Sequence, residues 1–141
     1  MNRYFFAFIF SLFFMSGCAT QTSHDSLYSE LGEKAGITKL VEGYITEISY
    51  RPELAKHFVN TNFTRLRDKL VEQICEISGG PCTYSGDNMI KVHTGMHINE
   101  SEFNQGVDAL IVVMGREGVA TTTQNKLLAR LATLRGDIID R

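Results

Sequence analysis

Apolar residues recur at helical spacing along most of this 141-residue chain. Ile37, Leu40, Val41, Tyr44, Ile45 and Ile48 fall on one face and predict a helix over residues 33–50. Arg51-Pro52 ends it, because the residue before a proline avoids helical geometry. Pro52 then suits the first turn of a short helix through His57. Phe63, Leu66, Leu70, Ile74 and Ile77 form the next stripe, over residues 62–77, with Arg65, Arg67, Asp68, Glu72 and Glu76 facing water. Gly79-Gly80-Pro81 stops that helix. A short helix carrying His93 follows a glycine-containing loop. Asn99 and Glu102 have the spacing of a capping box, and Phe103, Val107, Leu110, Ile111 and Met114 give the helix behind them its buried face. Gly118 ends it, and Leu127, Leu128, Leu131, Leu134 and Ile138 mark a last helix over residues 122–139. Sustained alternation with hairpin-spaced turns is missing, so the class is all-α.

The first residues stand outside this pattern. Arg3 supplies a short positive region, and Tyr4 to Met15 is an almost unbroken apolar run. A bilayer-spanning helix needs ~20 apolar residues, so residues 1–17 read as a signal peptide. Its end, Met15-Ser16-Gly17-Cys18, resembles a bacterial lipobox, in which the Cys is acylated and becomes the new N-terminus. The alternative is an ordinary cleaved signal with an incidental Cys. Residues 18–26 are small and polar, as a lipidated tether should be, and residues 27–141 form the domain. Ala19, not an Asp, follows Cys18; by resemblance to other lipoproteins this implies a periplasm-facing protein of the outer membrane.

Charge adds an exclusion. The net charge is −2, no basic block is present, and nucleic-acid binding has no electrostatic support. Export also changes how the cysteines read. With Cys18 lipidated, Cys75 and Cys82 remain in an oxidising compartment. They flank a helix end and the turn Ser78-Gly79-Gly80-Pro81, so they pair as a disulfide or stay as two free thiols. Closing so short a loop would stabilise the fold by roughly 2.5 kcal/mol.

The candidate chemistry centres on His93, an imidazole among apolar neighbours in Met89-Ile90-Lys91-Val92-His93-Thr94-Gly95-Met96-His97-Ile98. On its own such a His is more often a hydrogen-bonded core residue than a metal ligand. Cys75, Cys82, His93 and His97 also read as C-x6-C-x10-H-x3-H, a loose relative of a tetrahedral zinc site whose first gap is too long. His57 and His24 carry no signal of their own.

Several strings, in this order, resemble the group I truncated haemoglobins. They are Leu27-Tyr28-Ser29-Glu30-Leu31-Gly32, His57-Phe58-Val59-Asn60-Thr61-Asn62, Gly79-Gly80-Pro81, Tyr84-Ser85-Gly86 and Met89 to Ile98. The resemblance covers nearly all of the domain and implies a two-over-two helical sandwich around haem b. It places the proximal iron ligand on His93, with an acceptor holding the other ring nitrogen, and packs Phe58 on the porphyrin face. His97 stands where a Gly is common, near a haem edge or facing solvent.

On the distal side the resemblance departs from its pattern. The position of the usual oxygen-bonding Tyr falls on Ile45, with Tyr44 just before it, where a Phe is usual. Leu66 and Leu70 occupy the next helix, Leu70 replacing a Gln. An apolar pocket of this kind gives bound oxygen few donors, each contributing on the order of 1 kcal/mol, so oxygen should leave sooner while CO and NO need less help. Lys69, at the edge of the stripe, either ligates the iron as a neutral amine or is a solvated lysine near the haem propionates.

The expected function is reversible binding of oxygen or another diatomic gas (CO or NO), of an oxygen-carrier or storage type. A nitric-oxide dioxygenase side activity would need an external electron donor, since the chain holds no reductase motif. The alternative is a haem-free helical lipoprotein serving as an interaction module or binding zinc.

Overall fold

The structure, a computed structural model, describes residues 26–141. The signal peptide, Cys18, nearly all of the tether and His24 lie outside the described residues. Helix α1 (Leu27–Glu30) starts where the Ser26 hydroxyl accepts from the Ser29 backbone N–H at 3.2 Å. Helix α2 (Glu33–Ser49) buries Ile37, Leu40, Val41 and Ile48, and stops before Pro52. Proline at the first turn opens α3 (Pro52–Ala55), which tightens into a 3-10 turn over Lys56–Phe58. Asn62 caps α4 (Phe63–Ile77), and Asn88 caps α5 (Met89–His93), each side chain accepting a backbone N–H of the first turn. The predicted capping box is present at α6 (Glu100–Arg116), with Asn99 and Glu102 each accepting the other's N–H at 3.0 Å. Helix α7 (Thr121–Ala132) closes the bundle.

The described residues form helices joined by loops, with no strand among them, and α2 packs against both α4 and α6 while α6 packs on α7. This is the helical sandwich that the sequence resemblance implies. One core joins Ile37, Leu40 and Val41 of α2, Val71, Ile74 and Cys75 of α4, Val113 and Met114 of α6, and Leu127 of α7. Burying each such side chain contributes about 1.5–3 kcal/mol. The close approach of α2 to α6 rests on Gly43, where a Cβ would come within 2.8 Å of a Val113 methyl.

Three expectations need correction. On α4, Ile74 alone of the predicted stripe is fully buried; Phe63 is 47% exposed, and the core contacts come from Val71 and Cys75. The helix is turned so that Leu66 and Leu70 line a cavity, Leu70 also packing against the edge of the core. On α6, Leu110 and Met114 are buried as expected, but Ile111 is exposed and Ala109 and Val113 complete the buried face. The last helix does not reach residue 139: it stops at Ala132, and a 3-10 turn, Arg135–Asp137, follows. Gly136 weakens helix there by about 1 kcal/mol. The chain end is also drawn elsewhere, the Asp140 N–H donating to Ile98 O and the His97 N–H to Arg141 O, both at 2.9 Å.

Candidate functional site

A cavity of about 880 Å3 opens between α4, α5, α6 and α7, with the end of α2 and Phe58 at its rim. Its size is in the range of cofactor sites, and most of its wall is hydrocarbon, including Leu66, Leu70, Met89, Leu110 and Leu128.

His93 enters this cavity from the last turn of α5. Its Nδ1 lies 2.8 Å from the Met89 carbonyl oxygen, one turn back. In the neutral ring whose Nδ1 carries the proton, that N–H donates to the carbonyl and leaves the Nε2 lone pair free. Burial lowers the pKa of His93, the Met89 bond opposes the shift, and the nearby His57 adds to it. A neutral imidazole, oriented by a backbone acceptor, is the form that binds a metal. The competing zinc set does not assemble. Cys75 and Cys82 are joined as a disulfide with their Cα atoms 5.7 Å apart, His97 is exposed, and no metal-holding cluster of three His, Cys, Asp or Glu occurs among the described residues.

Of the other residues singled out in the sequence, Phe58, Leu66, Leu70 and Tyr44 all line the cavity. Ile45 does not. It lines a smaller pocket of about 230 Å3 behind Phe58 and Ile48. Neighbouring side chains on a helix diverge by about 100°, so α2 presents its phenol, one residue earlier than expected, in place of the isoleucine. Burial raises the Tyr44 pKa, against a smaller opposing influence of the Arg51 charge.

Lys69 also lines the cavity, yet its amine is engaged: it donates to both Glu72 carboxylate oxygens at 2.9 and 2.8 Å and to Ser85 Oγ at 2.5 Å. Glu72 further accepts the Ser85 N–H at 3.0 Å. The Lys69 hydrogen bond first, then the two Ser85 bonds, pull the Glu72 carboxyl down to about 2.

Two groups escaped the sequence reading. His57 and Glu102 both line the cavity, with His57 Nε2 3.6 Å from a Glu102 carboxylate oxygen and no closer hydrogen-bond partner. Glu102 is only 4% exposed and keeps its charge through Lys56, whose amine lies 2.5 Å away. The capping-box spacing pointed to Glu102, but nothing in the sequence indicated that it would be buried beside His57. Cations also gather at the wall. Lys91 pairs with Asp87, Arg135 with Glu100 and Lys69 with Glu72, whereas Arg65 has no carboxylate partner among the described residues.

A chain of this shape has known counterparts. The family model described as bacterial-like globin matches residues 26–140. A group 1 truncated hemoglobin, GlbN, of Mycolicibacterium paratuberculosis is 29% identical over 113 residues, 80% of this chain and 83% of the relative. The structure of a truncated hemoglobin from Tetrahymena pyriformis in its Fe(III) form superimposes with a TM-score of 0.79 at 21% identity, covering 82% of this chain and 98% of that one. THB1 of Chlamydomonas reinhardtii gives a TM-score of 0.70 at 28% identity, covering 82% and 97%. With an oriented, neutral imidazole facing an apolar cavity of cofactor size, the chain belongs to the bacterial-like globin family, its fold that of the group I truncated haemoglobins and its cofactor haem b.

Proposed function

We propose that this globin binds oxygen or another diatomic gas reversibly, with His93 as the proximal ligand. The observation that carries the reading is the His93 ring, fixed through Nδ1 to the Met89 carbonyl with Nε2 left for a metal inside the large cavity. Haem b, held through His93, would supply an iron centre able to bind a gas molecule reversibly. The protein's own part is to hold, shield and tune. Phe58, Leu66, Leu70 and Leu128 exclude water from the porphyrin. Arg65, the cation without a carboxylate partner, suits a propionate. Tyr44 supplies the one α2 hydroxyl on the wall, while Leu66 and Leu70 offer no donor. Such a site holds CO and NO more readily than oxygen, and nitric-oxide dioxygenation would require an electron donor from outside the chain.

The test is the visible spectrum of the haem-loaded protein. Loss of the Soret band in His93→Ala supports the assignment; a band that survives unchanged refutes it. We further place the protein at the outer membrane facing the periplasm, held by a lipid on Cys18, on the strength of the sequence Met15-Ser16-Gly17-Cys18. Cys18→Ser should release it from the membrane fraction, and retention there would overturn the anchor.

A further inference from the structure

Lys69 lies on the same stretch of α4 as Leu66 and Leu70, and all three line the large cavity. Its amine does not stand free there. One carboxylate, Glu72, takes it with both oxygens and at the same time accepts the N–H and the hydroxyl of Ser85, at 3.0 and 2.8 Å. Ser85 belongs to the loop that runs from the Cys75–Cys82 bridge to α5 and His93. The carboxylate therefore fastens two things at once: a cavity amine, and the strand of chain that delivers the imidazole.

We propose that Glu72 is a positioning residue that keeps the Lys69 amine off the haem iron and so keeps the gas site open. This rests on the reading of His93 as the proximal ligand. A lysine side chain has a flexible four-carbon stem, and its rotamers sweep from the outer edge of a helix to the neighbouring wall. Two conditions must hold for its nitrogen to coordinate iron. The ammonium must lose its proton to solvent, and the lone pair so exposed must form the iron–nitrogen bond; no electron is transferred. An apolar cavity favours the neutral amine, because burial penalises the charged form. The Glu72 carboxylate, touching the amine with both oxygens, instead ties it down beside the Ser85 loop. Glu72 remains an anion well below neutral pH, since the Lys69 and Ser85 bonds pull its carboxyl down to about 2, so the restraint does not switch off under ordinary conditions. Without that charge, the ammonium is left with neutral acceptors only, Ser85 Oγ at 2.5 Å and, in Glu72→Gln, one amide oxygen.

The experiment compares ferric absorption spectra and cyanide binding rates of the haem-loaded wild type, Glu72→Gln, Lys69→Ala and the double variant. The wild type should be high-spin and match Lys69→Ala. Glu72→Gln should show low-spin bands and bind cyanide about tenfold more slowly, as expected if only about a tenth of the iron stays open. The double variant should return to the wild-type spectrum and rate. Glu72→Asp, which keeps the charge on a shorter arm, covers the case in which Glu72→Gln loosens the loop and should give an intermediate rate. Ser85→Ala, which removes the hydroxyl contacts but keeps the backbone N–H bond to Glu72 and the Lys69–Glu72 pair, should stay high-spin.

The proposal is overturned if Glu72→Gln matches the wild type, or if its low-spin bands persist in the double variant. It also falls if Ser85→Ala alone produces those bands, or if the wild type already shows low-spin bands that Lys69→Ala removes. Failure of the haem reading looks different: no Soret band in any variant, or one indifferent to His93→Ala.

Discussion

The Tyr44 hydroxyl faces Gly106 across the α2–α6 contact, 3.4 Å from the point a Cβ at that glycine would occupy. A small residue on α6 thus leaves room for a phenol on the cavity wall, and no protein acceptor for that hydroxyl is found among the described residues. Tyr44→Phe removes one oxygen and little volume. It should leave the Soret band in place and speed oxygen release about fivefold, the equivalent of one hydrogen bond of ~1 kcal/mol, with a smaller effect on CO. Stopped-flow dissociation rates measure both, and equal oxygen rates would mean that the phenol serves only packing.

The Cys75–Cys82 bridge ties the buried end of α4 to the loop behind it, across a sequence separation of 7. Cys82→Ser should lower the unfolding free energy by roughly 2.5 kcal/mol if loop entropy dominates. Urea titration of the two proteins gives the difference. A value near zero would show that Glu72 and Glu76, which hold Ser85 and Tyr84 of the same loop, already confine it.

Acid should find Glu72. Its folded-state pKa is about 2 against an ordinary 4.5, so the folded protein binds this proton more weakly than the unfolded chain does. The resulting stabilisation is present in full above the ordinary carboxylate range and is lost as pH falls from about 4.5 toward 2. Glu72→Gln should therefore flatten the stability profile in that window and leave its shape near neutrality unchanged. Thermal melts across the acid range test this, and parallel curves for the two proteins would contradict it.

Features set by neighbouring residues were legible in the sequence: the Asn99–Glu102 box, the proline that opens α3 and the glycines after α4. Each depends on contacts within a turn or two of chain. The α4 stripe misled for a different reason. Leu66 and Leu70 line a cavity, and hydrophobic periodicity does not distinguish a cavity wall from a core. The same ambiguity extended the last helix too far, since Leu134 and Ile138 keep the helical spacing and line the cavity although α7 has already ended. Ile45 and Tyr44 show how narrow the margin is: one residue of rotation decides between a methyl group and a phenol. His57 beside Glu102 was out of reach, being a pairing of distant segments made by the fold alone.

Fastening the Ser78–Asn88 stretch to α4 has a mechanical result. Leu66, Leu70 and the imidazole at position 93 hang from a single stiff frame and not from two helices free to drift. A guest that crowded those leucines would lean, through the sulfur link and the two carboxylates, on the chain that carries the ring. With His93 holding the iron as proposed, crowding at the leucines and the set of that imidazole would be geared together with little slack.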